Sequence, residues 1–121
     1  MKKENIIVNK CINFALRIIN LQKYLTHEKK EYIISHQITK SGTSIGANIF
    51  ESQRAFSKND FYYKISISLK EASESKYWLL LLYKSDYISE DLYKSLLNDL
   101  QEIIKILMSI SKSQENRELN N

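Results

Sequence analysis

Residues 58–84 read KNDFYYKISISLKEASESKYWLLLLYK and repeat apolar side chains at the spacing of an α-helix. One stripe of this helix is the expected core face and contains Phe61, Ile65, Leu69, Ala72, Leu79 and Tyr83. A second apolar stripe, on the opposite side, contains Tyr63, Ile67, Trp78 and Leu81. A helix of a lone bundle would expose this stripe to water, so we expect another copy of the chain to cover it. Burial by a crossing helix or the tail of the same chain is the alternative.

Three further segments have the same helical period, and short polar segments separate them. The predicted helices span residues 3–25, 28–55, 58–84 and 90–111, followed by a disordered polar tail over 112–121. Thr26, Ser57 and Ser89 are the predicted N-caps of the last three helices, and Asp60 completes a capping box with Ser57. Long helices with short connections predict an all-α fold, an antiparallel up-down-up-down four-helix bundle formed by residues 1–111.

The first two predicted helices also have apolar inner faces. On the first helix this face is Val8, Ile12, Ala15, Leu16 and Ile19, and on the second it is Ile34, Ile38, Ser41, Ile45, Ile49 and Ser52. Gly42 and Gly46 lie one turn apart beside the second face, where two absent side chains predict close packing of a neighbouring helix. The alternative is a break near residues 41–43 that divides this segment into two helices.

Composition narrows the class of protein. The 121 residues include only 2 Gly and no Pro, which favours long helices over a turn-rich sheet fold. Cys11 is the single cysteine and cannot form an internal disulfide, which is typical of a reducing compartment. Charged residues interrupt the N-terminal apolar positions, so we expect neither a signal peptide nor a membrane span. These features predict a cytoplasmic protein that is not bound to a membrane.

The positive charge is concentrated in the first half of the chain. The net charge is +4, and residues 1–58 hold ten Lys and Arg against four acidic residues, whereas 59–121 hold eight against ten. Lys3, Lys10 and Arg17 recur every seven residues and form a row along the first helix. With Lys40, Arg54 and Lys58 they are the predicted nucleic-acid-binding residues. The alternative is an ordinary solvated surface.

No arrangement of reactive side chains predicts catalysis. A carboxylate metal site could draw on Glu51, Glu71 and Glu74, but neither histidine follows a glutamate by three residues, as the di-iron pattern requires. Nucleophile and phosphate-loop motifs are also missing. We therefore expect no enzyme activity, no cofactor and no metal. Glu71 and Glu74 are expected at the subunit interface, where they pair with Arg54 or with the amide of Asn48.

Three segments together resemble one family. They are SGTSIGANIFES at 41–52, AFSKNDF at 55–61 and LKEASESKYWL at 69–79. This pattern is similar to that of the 23S rRNA intervening-sequence protein family, and the four-helix layout extends the resemblance over nearly the whole chain. The resemblance implies a small bacterial helical bundle that assembles as a ring, typically a homopentamer, and it transfers no catalytic residue. A related branch, the accessory proteins of diversity-generating retroelements, is similar to a basic pentameric barrel that binds nucleic acid and a reverse transcriptase.

The expected function is therefore that of a non-catalytic, ring-forming homo-oligomer, a scaffold or adaptor that binds structured RNA or DNA. A reverse transcriptase or another protein is a further expected partner. The predicted oligomer interface consists of Tyr63, Ile67, Glu71, Glu74, Trp78 and Leu81. The alternative function is a purely protein-binding or structural oligomer without affinity for nucleic acid.

Overall fold

The computed structural model describes residues 3–119, with side chains over 6–116. Within this range the chain forms four α-helices and no strand: α1 (Lys3–His27), α2 (Ile33–Ser52), α3 (Lys58–Lys84) and α4 (Glu90–Leu119). The all-α class and the four-helix bundle predicted from the sequence are confirmed.

Each helix packs against two neighbours. Helix α1 contacts α2 and α4, and α3 contacts the same two helices from the other side. Within the described residues α1 does not contact α3, and α2 does not contact α4, so each of these pairs lies across a diagonal of the bundle. The core between the four helices is almost entirely aliphatic, with Phe14 as its one fully buried aromatic side chain in the described range.

The N-caps of α3 and α4 are those predicted. The Ser57 hydroxyl accepts a hydrogen bond from the Asp60 backbone N–H at 3.1 Å, and the Asp60 carboxylate accepts one from the Phe56 N–H at 3.2 Å. The Ser89 hydroxyl accepts from the Leu92 N–H at 3.1 Å. Both caps satisfy backbone donors that the first turn of a helix leaves without partners.

Helix α2 is shorter than predicted, and the prediction of Thr26 as its N-cap is wrong. Thr26 lies inside α1, where its hydroxyl donates to the carbonyl of Gln22 at 2.9 Å. Residues 28–32 form a turn in which Lys30 adopts a left-handed backbone conformation with φ of 55°, so the chain cannot continue as a helix there. Helix α2 then begins at Ile33 and ends at Ser52 instead of residue 55. It is continuous across residues 41–43, which rules out the predicted alternative of two helices.

Helix α4 is longer than predicted. It continues to Leu119, so the prediction of a disordered tail is wrong for residues 112–119, and residues 120–121 lie outside the described range. Among the side chains of residues 112–116 only Gln114 is half-buried and the others are exposed. Apolar periodicity ends there, but residues 112–119 contain neither Gly nor Pro and include the good helix formers Lys, Gln, Glu and Arg, so the helix continues.

The buried face of α1 is not the predicted one. The residues that enter the core are Ile7, Cys11, Phe14, Ile18, Leu21 and Leu25. Of the predicted inner face, Val8 and Ala15 are half-buried, whereas Ile12, Leu16 and Ile19 are exposed. Helix α1 therefore has two apolar stripes side by side, and periodicity alone does not indicate which of them the bundle buries.

Small residues bring α2 close to both of its neighbours. Toward α3, the Ser68 hydroxyl donates to the carbonyl of Ile45 at 2.9 Å, and the Ser75 hydroxyl donates to Ser41 Oγ at 2.9 Å. Toward α1, a Cβ added at Gly42 would lie 3.1 Å from Ile18 Cγ1, and one added at Gly46 would lie 3.2 Å from Cys11 Cβ. The predicted inner face of α2 is otherwise confirmed, with Ile34 half-buried and the other five residues buried.

Candidate interaction surfaces

The six predicted interface residues lie along the outer side of α3, and we call them the α3 stripe. Its members are Tyr63, Ile67, Glu71, Glu74, Trp78 and Leu81. Tyr63 is 62% exposed and Glu74 is exposed, while the other four are half-buried. The described side chains therefore leave part of this apolar stripe in contact with water.

The indole of Trp78 connects the α3 stripe to the core. Its ring packs against the core residues on one side and makes an edge contact with Tyr77, with 5.0 Å between ring centroids. Among the side chains of residues 6–116, the N–H of Trp78 is a buried polar group without a hydrogen-bond partner. Leaving such a donor unpaired costs about 1–3 kcal/mol, and an acceptor of another chain could reach it only if the indole shifts toward the surface.

The carboxylates of the α3 stripe have no ion-pair partner among the described side chains. None of the ion pairs formed by residues 6–116 includes Glu71 or Glu74. Neither of the two partners expected for them pairs with them within the subunit. The Asn48 amide donates a hydrogen bond to the carbonyl of Ser44 at 2.8 Å, and Arg54 is exposed beyond the end of α2. An ion pair for these carboxylates is therefore a prediction for the contact between subunits.

A second surface lies on the outer side of α1 and α2, and we call it the α1/α2 face. It consists of Val8, Ile12, Ala15, Leu16 and Ile19 from α1 and of Thr43, Ala47 and Phe50 from α2. Leu16 is 54% exposed, Ile12 42% and Phe50 58%. The two cations in the middle of α1, Lys10 and Arg17, turn toward α4, so the α1 part of this face carries no charge between residues 8 and 22.

A groove runs along the α1/α2 face. It has a volume of about 470 Å³, and its lining includes Ile12, Ala15, Ala47 and Phe50. The groove exists because Gly46 brings the backbone of α2 against Cys11 and contributes no side chain that would fill the space between the helices. An apolar groove flanked by exposed apolar side chains is typical of a protein–protein contact site.

Two of the three cations in the predicted row on α1 form ion pairs with α4. Lys10 Nζ lies 3.0 Å from Glu102 Oε2, and Arg17 Nη1 lies 2.6 Å from Asp99 Oδ2. Arg17 also donates to the Ser95 hydroxyl at 2.9 Å. These contacts join α1 to α4, and they compensate the charge that the row was expected to present. The side chain of Lys3 lies outside the described side chains.

The other three predicted nucleic-acid residues are free of such pairing. Lys40, Arg54 and Lys58 are exposed, and none of them takes part in an ion pair among residues 6–116. Arg54 and Lys58 lie on either side of Phe56, which is completely exposed in the connection between α2 and α3. This connection therefore presents two cations and an aromatic ring to solvent.

Comparison with known proteins assigns the chain to a family. The family model of the 23S rRNA-intervening sequence protein matches residues 3–109. The chain belongs to this family. It is also similar to a protein of unknown function from the S23 ribosomal protein family of Bacteroides thetaiotaomicron, whose crystal structure matches at 50% identity. That match covers 92% of this chain and 99% of the other, with a TM-score of 0.91, and no protein curated for function matches the chain.

One basic cluster of this intervening-sequence family member was missed in the sequence. It lies at the turn between α1 and α2, and we call it the turn cluster: Lys23, Tyr24, Lys29, Lys30 and Tyr32. All five side chains are exposed, and Lys29 Nζ lies 5.9 Å from the centre of the Tyr24 ring. The pair of lysines next to two tyrosines was the available signal, but a helix predicted from residue 28 concealed the turn that brings them together.

The intervening-sequence family and its structural relative indicate no catalytic class. Over the described residues no group of three or more His, Cys, Asp and Glu side chains is placed to hold a metal ion. Glu51, considered above as a metal ligand, instead forms an ion pair with Lys64, with 3.3 Å between Lys64 Nζ and Glu51 Oε1. In the part of the chain that the structure describes, no helix combines the length and apolar character that a membrane crossing requires.

Proposed function

We propose that the chain is a non-catalytic, cytoplasmic scaffold that assembles with copies of itself into a ring, a pentamer as the family resemblance implies. Within each copy we propose an antiparallel up-down-up-down bundle. The contacts between helices support this direction, because residue numbers fall on one helix as they rise on the other. Lys10 pairs with Glu102 and Arg17 with Asp99, and in the same sense Ser68 meets Ile45 where Ser75 meets Ser41.

The observation that carries the oligomer proposal is the α3 stripe. It combines a 62% exposed tyrosine with half-buried Ile67, Trp78 and Leu81 and with two carboxylates that form no ion pair among residues 6–116. Apolar surface of this kind is unfavourable in water and is buried when another chain covers it, and the carboxylates can then meet a cation of that chain.

The interface can be tested at Trp78. A Trp78→Glu variant is expected to give smaller species than the wild type in light scattering, because the new carboxylate has to be buried without a cation. Since Trp78 also packs on the core, circular dichroism must show that the variant keeps its helices. Tyr63→Lys, at an exposed position, provides a second variant whose folding is not at risk. Unchanged assembly in both variants would contradict an interface on the α3 stripe.

We further propose that the assembly binds structured RNA or DNA through the cations that remain unpaired. Arg54 and Lys58 beside Phe56 and the lysines and tyrosines of the turn cluster combine positive charge with aromatic rings, a pattern suited to phosphates and stacked bases. A ring of five chains that each carry +4 would have a net charge of about +20, which strengthens the attraction for a polyanion. A reverse transcriptase or another protein remains a proposed partner of this assembly.

Binding can be measured by fluorescence anisotropy with a labelled RNA hairpin and a labelled DNA duplex. The affinity is expected to fall at least tenfold between about 50 mM and about 200 mM salt. The double variant Arg54→Gln/Lys58→Gln is expected to bind several-fold more weakly than Lys94→Gln/Lys105→Gln, which removes the same charge from α4. Equal affinities of these two variants, or an affinity insensitive to salt, would contradict the proposed site.

The alternative function, a protein-binding or structural oligomer, is favoured by a specific observation. Two members of the predicted α1 row, Lys10 and Arg17, are compensated by carboxylates of α4. If this pairing is their role, Arg17→Gln reduces stability and leaves nucleic-acid affinity unchanged. The alternative is supported if the wild-type assembly also shows no micromolar affinity for either probe at physiological salt.

A further inference from the structure

The α1/α2 face and the α3 stripe are two different apolar surfaces on one chain. The face lies on the side of the bundle formed by α1 and α2, and the stripe lies on the outer side of α3, the helix diagonal to α1. Surfaces that point in different directions cannot both be buried in one two-fold symmetric contact. They can both be buried if each copy uses its stripe toward one neighbour and its face toward the other.

We infer that the α1/α2 face is the docking site for the α3 stripe of a second copy, so that the contact between subunits is heterologous. This inference rests on the proposed homo-oligomer and identifies the half of its interface that the α3 stripe alone does not supply. The occupant of the apolar groove is helix α3 of the neighbouring chain.

The size of the α1/α2 face fits part of a helix. Its α1 residues run from Val8 to Ile19, which corresponds to a length of about 17 Å. Two packed helices are about 20 Å wide, so the projected area of the face is about 340 Å². The face is therefore large enough to hold about three turns of a helix from the neighbouring chain.

Charge supports the same pairing of surfaces. The α1 side of the face has no charge between residues 8 and 22, as expected for the centre of an interface, and exposed Lys23 and Lys40 lie at its edges. The α3 stripe carries Glu71 and Glu74, which form no ion pair with any side chain of residues 6–116. Opposite charge favours a docked register in which these carboxylates lie near Lys40 and away from Glu51, which also lines the groove.

A mixing experiment separates this arrangement from a symmetric one. The face variant is Ile12→Lys/Leu16→Lys, and the stripe variant is Tyr63→Lys/Ile67→Lys; three of these four positions are exposed and Ile67 is half-buried. Each variant alone is expected to be a monomer by light scattering, with the helical circular dichroism of the wild type. An equimolar mixture is expected to form a one-to-one dimer, because the intact stripe of one variant still fits the intact face of the other.

The matched control is Asn13→Lys, an exposed position of α1 that lies outside the face, and it should retain the wild-type mass. A face variant that is monomeric beside a stripe variant with unchanged mass would indicate a face-to-face dimer and overturn the inference. A mixture that stays monomeric would do the same. In both cases an oligomeric wild type supports a homo-oligomer that lacks this heterologous contact, whereas a monomeric wild type contradicts the homo-oligomer itself.

Discussion

Glu31 begins helix α2, although it lies two residues before the first helical one. Its carboxylate accepts hydrogen bonds from the backbone N–H groups of Ile33 at 3.2 Å, Ile34 at 3.1 Å and Ser35 at 2.7 Å. Tyr32, at the N-cap position, provides no side-chain cap. A negative charge at this end also interacts favourably with the helix dipole. One buried side chain thus replaces the serine or threonine that usually begins a helix.

Replacement of this cap should reduce stability in a graded way. Glu31→Ala is expected to lower the free energy of unfolding by about 1–2 kcal/mol, and Glu31→Gln by less, because an amide oxygen can still accept one of the bonds. Urea unfolding followed by circular dichroism measures both. Glu28→Ala, at an exposed position of the same turn, is the control. If Glu28→Ala and Glu31→Ala are equally stable, Glu31 is not the cap.

Cys11 is the only thiol of the chain, and the core holds it in its protonated form. It is 2% exposed, and burial raises the pKa of the Cys11 thiol from 9.0 to about 12. At pH 8 this leaves roughly a thousandfold less thiolate in the folded protein than in the unfolded chain. A buried, protonated thiol is a packing residue, and it forms part of the narrow contact with Gly46.

Two measurements follow from the shifted pKa of Cys11. A thiol reagent at pH 8 should label the native protein far more slowly than the urea-unfolded chain. Above pH 9 the unfolded state releases a proton that the folded state retains, so this thiol's contribution to stability is full below pH 9 and is lost as pH rises toward 12. The stability difference between wild type and Cys11→Ala should therefore shrink between pH 8 and pH 11. Rapid labelling of the native protein would show that Cys11 is accessible.

The contact between α1 and α2 depends on a glycine that opposes helix propensity. Replacing Gly42 with Ala should favour the helix by about 1 kcal/mol, but the new Cβ would lie 3.1 Å from Ile18 Cγ1 and 3.2 Å from its Cγ2. Ile18 is fully buried and β-branched, so it cannot rotate away. We expect steric crowding to exceed the gain in propensity, which makes Gly42→Ala destabilising in the wild-type chain.

A double-mutant cycle tests this explanation. In an Ile18→Ala background the atoms that crowd the new methyl group are gone, so Gly42→Ala should become neutral or stabilising there. Chemical unfolding of the wild type, both single variants and the double variant supplies the four free energies. The same loss in both backgrounds would show that Gly42 matters for another reason than contact with Ile18.

Local chemistry predicted some helix ends and not others. Ser57 and Ser89 were found because a hydroxyl three residues before an available N–H is a local pattern. The start of α2 was missed because Glu31 is an unusual cap and because Lys30 adopts a conformation that no local pattern required. The end of α4 was missed because apolar periodicity stops at Ile110, whereas residues 112–119 keep helix-forming side chains and contain neither Gly nor Pro.

The exposed faces show a different limit of sequence reasoning. On α3 two apolar stripes lie on opposite sides, and the core stripe was assigned correctly at Ile65, Ala72 and Leu79. On α1 two apolar stripes lie side by side, and the predicted one is the exposed one. Burial of one stripe rather than the other depends on which of them meets Gly42 and Gly46 of α2, and this is a property of the packed pair. The stripe that was predicted to be buried is therefore a second, exposed apolar surface of α1.

At the scale of the whole chain, one set of contacts stabilises the subunit and a second set of surfaces remains available for partners. Ion pairs of Lys10 and Arg17 with α4 join the first helix to the last, and serines join α2 to α3. These contacts stabilise the subunit. The α3 stripe, the α1/α2 face and the unpaired cations near Phe56 and at the turn cluster contribute little within one subunit. They are the surfaces that the proposed assembly and its nucleic-acid partner would use.

The most direct test of the homo-oligomeric scaffold is the solution mass of the full chain, measured by multi-angle light scattering at micromolar concentration and physiological salt. We expect a mass several times the 14.3 kDa of one chain, close to five copies, and a further increase when an RNA hairpin is added at low salt. A mass of 14.3 kDa at every concentration would contradict the account, because the α3 stripe and the α1/α2 face would then be exposed apolar surfaces without a partner copy.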